Sequence, residues 1–126
     1  MKTIIHTDKA PAPIGPYNQA VIVNNILYTS GQVALDPATM ELVLDDIETE
    51  TKRVMENLKA ILEAANMTFE NVFKTTIFIT DMHTFARINA VYATYFNEKT
   101  APARETVQVA ALPKFVNIEI AMMAMR

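Results

Sequence analysis

The chain has no cysteine and only two glycines among its 126 residues. Without cysteine there is no disulfide framework and no thiolate chemistry. With glycine confined to Gly15 and Gly31, there is no Gly-rich phosphate loop, and no catalytic serine elbow is present either. The apolar runs are far shorter than a membrane span, and the N-terminus lacks the charged-then-apolar pattern of a signal segment. A cytoplasmic protein without membrane contact is the expectation. Basic clusters are missing as well: 11 Lys and Arg stand against 14 Asp and Glu, a net charge of -3. Nothing is available to neutralise a phosphate backbone, so nucleic acid is not the expected partner. His6 and His83 are far apart and no His-x-x-x-His pattern accompanies them, which leaves a zinc site unsupported.

What is present is a globular composition, 51% apolar and 20% charged. The length fits one domain over residues 1–126, burying roughly two-thirds of the surface of its unfolded chain. Ile4-Ile5 begins a short strand, and Ala10 to Pro16 is a proline-stiffened loop. Gln19 to Val23 and Ile26 to Ser30 flank Asn24-Asn25, a pair that tolerates positive φ and predicts a two-residue hairpin. Asp45-Asp46 opens a helix in which Val54, Leu58, Ile61, Leu62 and Ala65 recur at helical spacing, with Asn66 as its stop. Glu48 and Glu50 read as helix-start electrostatics.

Val72 to Thr80 is β-branched and aromatic, a strand. Asp81 and Thr84 cap a second helix with Phe85, Ile88, Tyr92, Tyr95 and Phe96 as its stripe, ending near Asn97. Strands at roughly Thr106 to Ala110 and Val116 to Met125 close an α+β chain of order ββα–βαββ. Two helices can cover one face of one sheet. The last strand is nevertheless apolar on both faces, Ile118, Ile120, Met122 and Ala124 alternating with Ala121, Met123 and Met125. A sheet with one wet face should alternate with polar residues, so a further subunit is expected to cover the second face.

The residues with most chemistry lie in the run Pro102-Ala103-Arg104 to Ile118-Glu119-Ile120. Arginine is the side chain best shaped to take a carboxylate through paired hydrogen bonds. By position alone, an ordinary surface or structural arginine is the commoner case. Glu119, between two isoleucines, points to the apolar face opposite them, where partial burial would raise its pKa and a nearby arginine would lower it. A guanidinium close to such a carboxylate could hold an anionic substrate and activate a water. A solvated or structurally neutralised glutamate is the bland alternative.

That run, together with Ile14-Gly15-Pro16-Tyr17 and Thr29-Ser30-Gly31-Gln32, resembles the RidA/YjgF family of enamine/imine deaminases over essentially the whole chain. The resemblance implies a chorismate mutase-like fold, a single antiparallel or mixed sheet with two helices on one face. It further implies a homotrimer with the sheets facing inward and sites at the subunit interfaces. It implies a 2-imino or 2-keto carboxylic acid as ligand, without metal or organic cofactor. Arg104 would anchor the carboxylate and Glu119 would orient water, with Tyr17, Ser30, Gly31, Asn89 and Thr106 shaping the pocket. Glu105 and Thr106 depart from the small residue and cysteine common in the family. Thr106 can donate a hydrogen bond but cannot act as a thiol, and Glu105 would compete for Arg104 if it turned that way. A trimeric small-carboxylate binder or chaperone-like scaffold is the alternative function.

Overall fold

The computed structural model describes residues 1–126. Its elements are β1 (Thr3–Ile5), β2 (Ala20–Val23), β3 (Ile26–Thr29), α1 (Ile47–Ala64), β4 (Val72–Ile79), α2 (Phe85–Tyr92), β5 (Ala103–Gln108) and β6 (Ile118–Met125). The six strands form one open mixed sheet in the order β1-β2-β3-β6-β4-β5. All neighbours are antiparallel except β4 and β5. A parallel pair needs a crossover, and α2 supplies it, leaving β5 on the sheet edge.

Local chemistry accounts for most boundaries. The β2–β3 turn has Asn24 and Asn25 at φ 52° and 68°, the left-handed pair a tight hairpin requires. Helix α1 begins where the Asp46 carboxylate accepts from Thr49 N at 2.7 Å. It ends where Asn66 turns left-handed at φ 57° and Met67 N reaches back to Leu62 O at 2.9 Å. Along α1, Val54, Met55, Leu58, Ile61 and Leu62 are fully buried, packed in one core with Ile77, Ile79, Ile118, Ile120 and Met122 of the sheet.

The two largest boundary differences from the sequence reading are at β5 and α2. Strand β5 starts at Ala103, upstream of the expected Thr106, because it is defined by pairing with Lys74 to Ile79 of β4 rather than by its own residues. Helix α2 stops at Tyr92, a 3₁₀ turn over Ala93–Tyr95 carries Tyr95 of the apolar stripe, and Phe96 follows in extended backbone. On the sheet face away from the helices stand Tyr28, Phe78, Val107, Ala121, Met123 and Met125, all half-buried or exposed. On the helix face the β6 alternates Ile118, Ile120, Met122 and Ala124 are buried.

Candidate functional site

Arg104 lies on the edge strand, paired in register with Thr75 of β4. Thr75 Oγ1 accepts from the Tyr92 hydroxyl of α2 at 3.1 Å, so Arg104 is on the helix face of the sheet. Its guanidinium carbon sits 4.9 Å from the Tyr92 ring centre and 5.4 Å from that of Phe85. Nη1 donates to Asn89 Oδ1 at 2.7 Å. The aromatic bed and the amide fix the planar fork without neutralising it, because no carboxylate of the chain forms an ion pair with it. The fork opens on a cleft of about 640 Å³ whose walls include Asn89, Tyr92, Phe96, Glu98, Pro102 and Arg104. Thr106 points to the same face one step along β5, beside buried Ile77.

Glu105 turns to the opposite face, where it bonds Lys74 Nζ at 2.6 Å and the Thr76 hydroxyl. Those partners hold its pKa below the ordinary glutamate range, first through Lys74. It does not compete for Arg104.

Glu119 belongs to a second group. It pairs in register with Phe78, three residues along β4 from Thr75 and therefore on the other face of the sheet. The sequence reading set guanidinium and carboxylate side by side; within one chain the sheet separates them. The reason is parity. Arg104 is two strands away, and its register through β4 places it on the helix side. The Glu119 carboxyl is half-buried, and desolvation raises its pKa. Gly31 makes room for it: a Cβ at residue 31 would lie 2.6 Å from the Glu119 carboxyl carbon. Gly31 does not adopt positive φ, so space, not backbone freedom, is what glycine supplies here. Ser30 beside it donates from Oγ to Asn18 O at 2.5 Å. Tyr17, the neighbour of Asn18, is half exposed, and its hydroxyl accepts weakly from Ile14 N at 3.4 Å.

The predicted residues thus fall into two candidate half-sites: Arg104 bonded to Asn89, with Thr106 two residues on along β5, and Glu119 against Gly31, with Ser30 next in the chain.

The family model described as Endoribonuclease L-PSP matches residues 7–126. The chain belongs to the RidA/YjgF family. A RutC family protein of Synechocystis is 53% identical over 118 residues, covering 93% of this chain and 91% of the relative. The crystal structure of the Rid family protein YyfA from Yersinia pestis is 45% identical, covers 100% of both chains and superposes with a TM-score of 0.97. The structure of E. coli TdcF with bound serine is 44% identical over 98% of each chain, with a TM-score of 0.92.

Against that family background, the sequence reading missed several residues of this Rid chain. Tyr92 and Phe96 were visible as an apolar stripe, yet besides packing they wall the Arg104 cleft. Glu98 on its rim gave no sequence signal at all. Glu50 needs a correction. Glu48 stands in the first turn of α1, as expected, and pairs with Arg87 of α2 at 2.7 and 2.9 Å. Glu50 instead is fully buried, with its carboxylate bonded to the main chain at the start of β6. The helical turn that exposes residue 48 carries residue 50 inward.

Proposed function

We propose that the protein hydrolyses reactive enamine/imine acids, such as 2-aminoacrylate and 2-iminobutyrate, to 2-keto acids and ammonia. One observation carries the reading: Arg104 is braced by aromatic rings and Asn89, open to a cleft, and in no ion pair with a carboxylate of its own chain. A carboxylate ligand would complete it through paired charge-assisted bonds. The bound serine of TdcF is an amino acid with such a group, in a relative of the same fold. The endoribonuclease wording of the family description finds less support, since 14 acidic residues outnumber 11 basic ones.

In this mechanism Arg104 clamps the substrate carboxylate and sets the C=N carbon in place. Glu119 accepts a proton from water as the water oxygen bonds to that carbon, giving a carbinolamine. That proton passes from Glu119 to the nitrogen, the C–N bond breaks and ammonia leaves, while Glu119 takes up the hydroxyl proton as the C=O bond forms. Burial holds the Glu119 pKa above the ordinary glutamate value, which strengthens it as a base. Tyr17, Ser30, Gly31, Asn89 and Thr106 shape the pocket.

The two half-sites face opposite sides of one sheet, so a single substrate can touch both only between chains. A homotrimer with the apolar sheet faces inward and sites at the interfaces meets this requirement and covers Phe78, Val107 and Met123. The test couples a 2-imino-acid-releasing dehydratase to the protein and follows 2-keto acid formation. Wild type should accelerate release, and Arg104→Ala and Glu119→Gln should not. Arg104→Lys loses the paired geometry and should raise KM roughly 10- to 100-fold, the size of one charge-assisted bond. A correctly folded wild type that leaves release unchanged rules the activity out. Carboxylate binding that survives in Glu119→Gln with no turnover in wild type would point to a binding protein.

A further inference from the structure

Glu50 is a fully buried carboxylate that the proposed chemistry does not use. From α1 it accepts three hydrogen bonds, from Asn117 N at 2.8 Å, Asn117 Nδ2 at 2.7 Å and Ile118 N at 3.2 Å. Burying a carboxylate is costly unless its oxygens are well engaged, and here every partner is a donor. Two of those donors are main-chain N–H groups of the residues immediately before Glu119. The same stretch is held elsewhere too. Thr80 N donates to Asn117 O at 3.1 Å, while Gln32 N donates to Ile120 O at 2.8 Å and Ile120 N to Gln32 O at 3.1 Å. Glu119 therefore leaves a backbone gripped from the helix layer by Glu50 and along the sheet by Thr80 and Gln32.

We infer that Glu50 is a positioning residue, fixing the entry of β6 from the helix layer and thereby the place of the Glu119 carboxylate on the far face of the sheet. This rests on Glu119 orienting water as proposed above. Glu50 touches neither substrate nor Arg104, so its loss should act on the chemical step and spare carboxylate binding. A misplacement of about 1 Å at a catalytic group costs on the order of 10²-fold.

The experiment compares Glu50→Ala, Glu50→Gln, Asn117→Asp and the double variant Glu50→Gln/Asn117→Asp in the dehydratase-coupled assay, with folding checked by circular dichroism. Glu50→Ala should lower kcat ~10²-fold while KM stays within about twofold. Glu50→Gln should retain most activity, because the Asn117 amide can turn over and offer its oxygen to the new Nε2. Asn117→Asp sets two carboxylates against each other and should lose kcat, and the double variant, again a donor facing an acceptor, should regain it. If Glu50→Ala fails to fold, the last pair carries the test. The Glu119 carboxyl is titrated in parallel by NMR in wild type and Glu50→Ala, or in Asn117→Asp where that variant is the folded one. Its midpoint should fall toward that of an ordinary glutamate as the group swings to water. A folded Glu50→Ala with wild-type kcat, parallel changes in kcat and KM, or a double variant no better than Asn117→Asp would overturn the inference. An unmoved Glu119 midpoint would do the same even where wild type shows no deaminase activity, a result that removes the functional reading separately.

Discussion

At residue 31 the structure uses an absent atom. Gly31→Ala would drive a methyl group into the Glu119 carboxylate, which is the free end of a side chain and yields before the backbone does. The variant should fold with a near-native melting temperature and lose about 10²-fold in kcat, since the displaced group is the proposed base. Steady-state kinetics beside thermal melts separate this from a folding defect. Glu119 itself predicts a pH effect on stability. Burial raises its folded pKa, so the native state holds the proton more tightly than the unfolded chain. The stabilisation is complete below the ordinary glutamate pKa and is lost as pH rises through the raised one. Glu119→Gln removes the penalised charge. It should melt above wild type at neutral pH, with the gap closing toward about pH 4, where both forms are neutral. Melts across that range check the sign, and a gap that widens in acid contradicts it.

At the scale of elements, the sheet is held by one helix more than by the other. Leu58, fully buried at the middle of α1, packs into the core shared with β4 and β6. Leu58→Ala should cost about 2–5 kcal/mol in chemical denaturation, with the denaturant slope unchanged. Helix α1 and the Asn24-Asn25 hairpin were legible in the sequence because periodicity, caps and turn residues are local signals. The apolar second face of β6 was legible for the same reason. Strand β5 was misplaced because its limits come from β4, through a parallel pairing that its own residues do not announce. Of the candidate site, the Arg104 run and Gly31 could be picked out by type and motif. The face each residue occupies could not, since that depends on register across three strands. Glu50 was read as helix-start electrostatics alone because its partners lie 67 and 68 residues away along the chain.

For the whole molecule, the separation of Arg104 and Glu119 by the sheet makes the proposed activity a property of an assembly. Arg104→Ala and Glu119→Gln each break one half-site and leave the other whole. Unfolded and refolded together in equal amounts, they should recover about a quarter of wild-type activity. A junction works only when an intact Arg104 meets an intact Glu119, a chance of half times half in a ring of head-to-tail contacts. Variants refolded separately and then mixed serve as the control. A mixture that stays inactive would place both residues of each site in one chain. The same sidedness has a genetic face. Two alleles, each null when expressed alone, should complement one another when expressed together, provided their lesions fall on opposite faces of the sheet. Two lesions on one face should never do so, and a cross among alleles would sort this gene's loss-of-function mutations into two classes before any enzyme was purified.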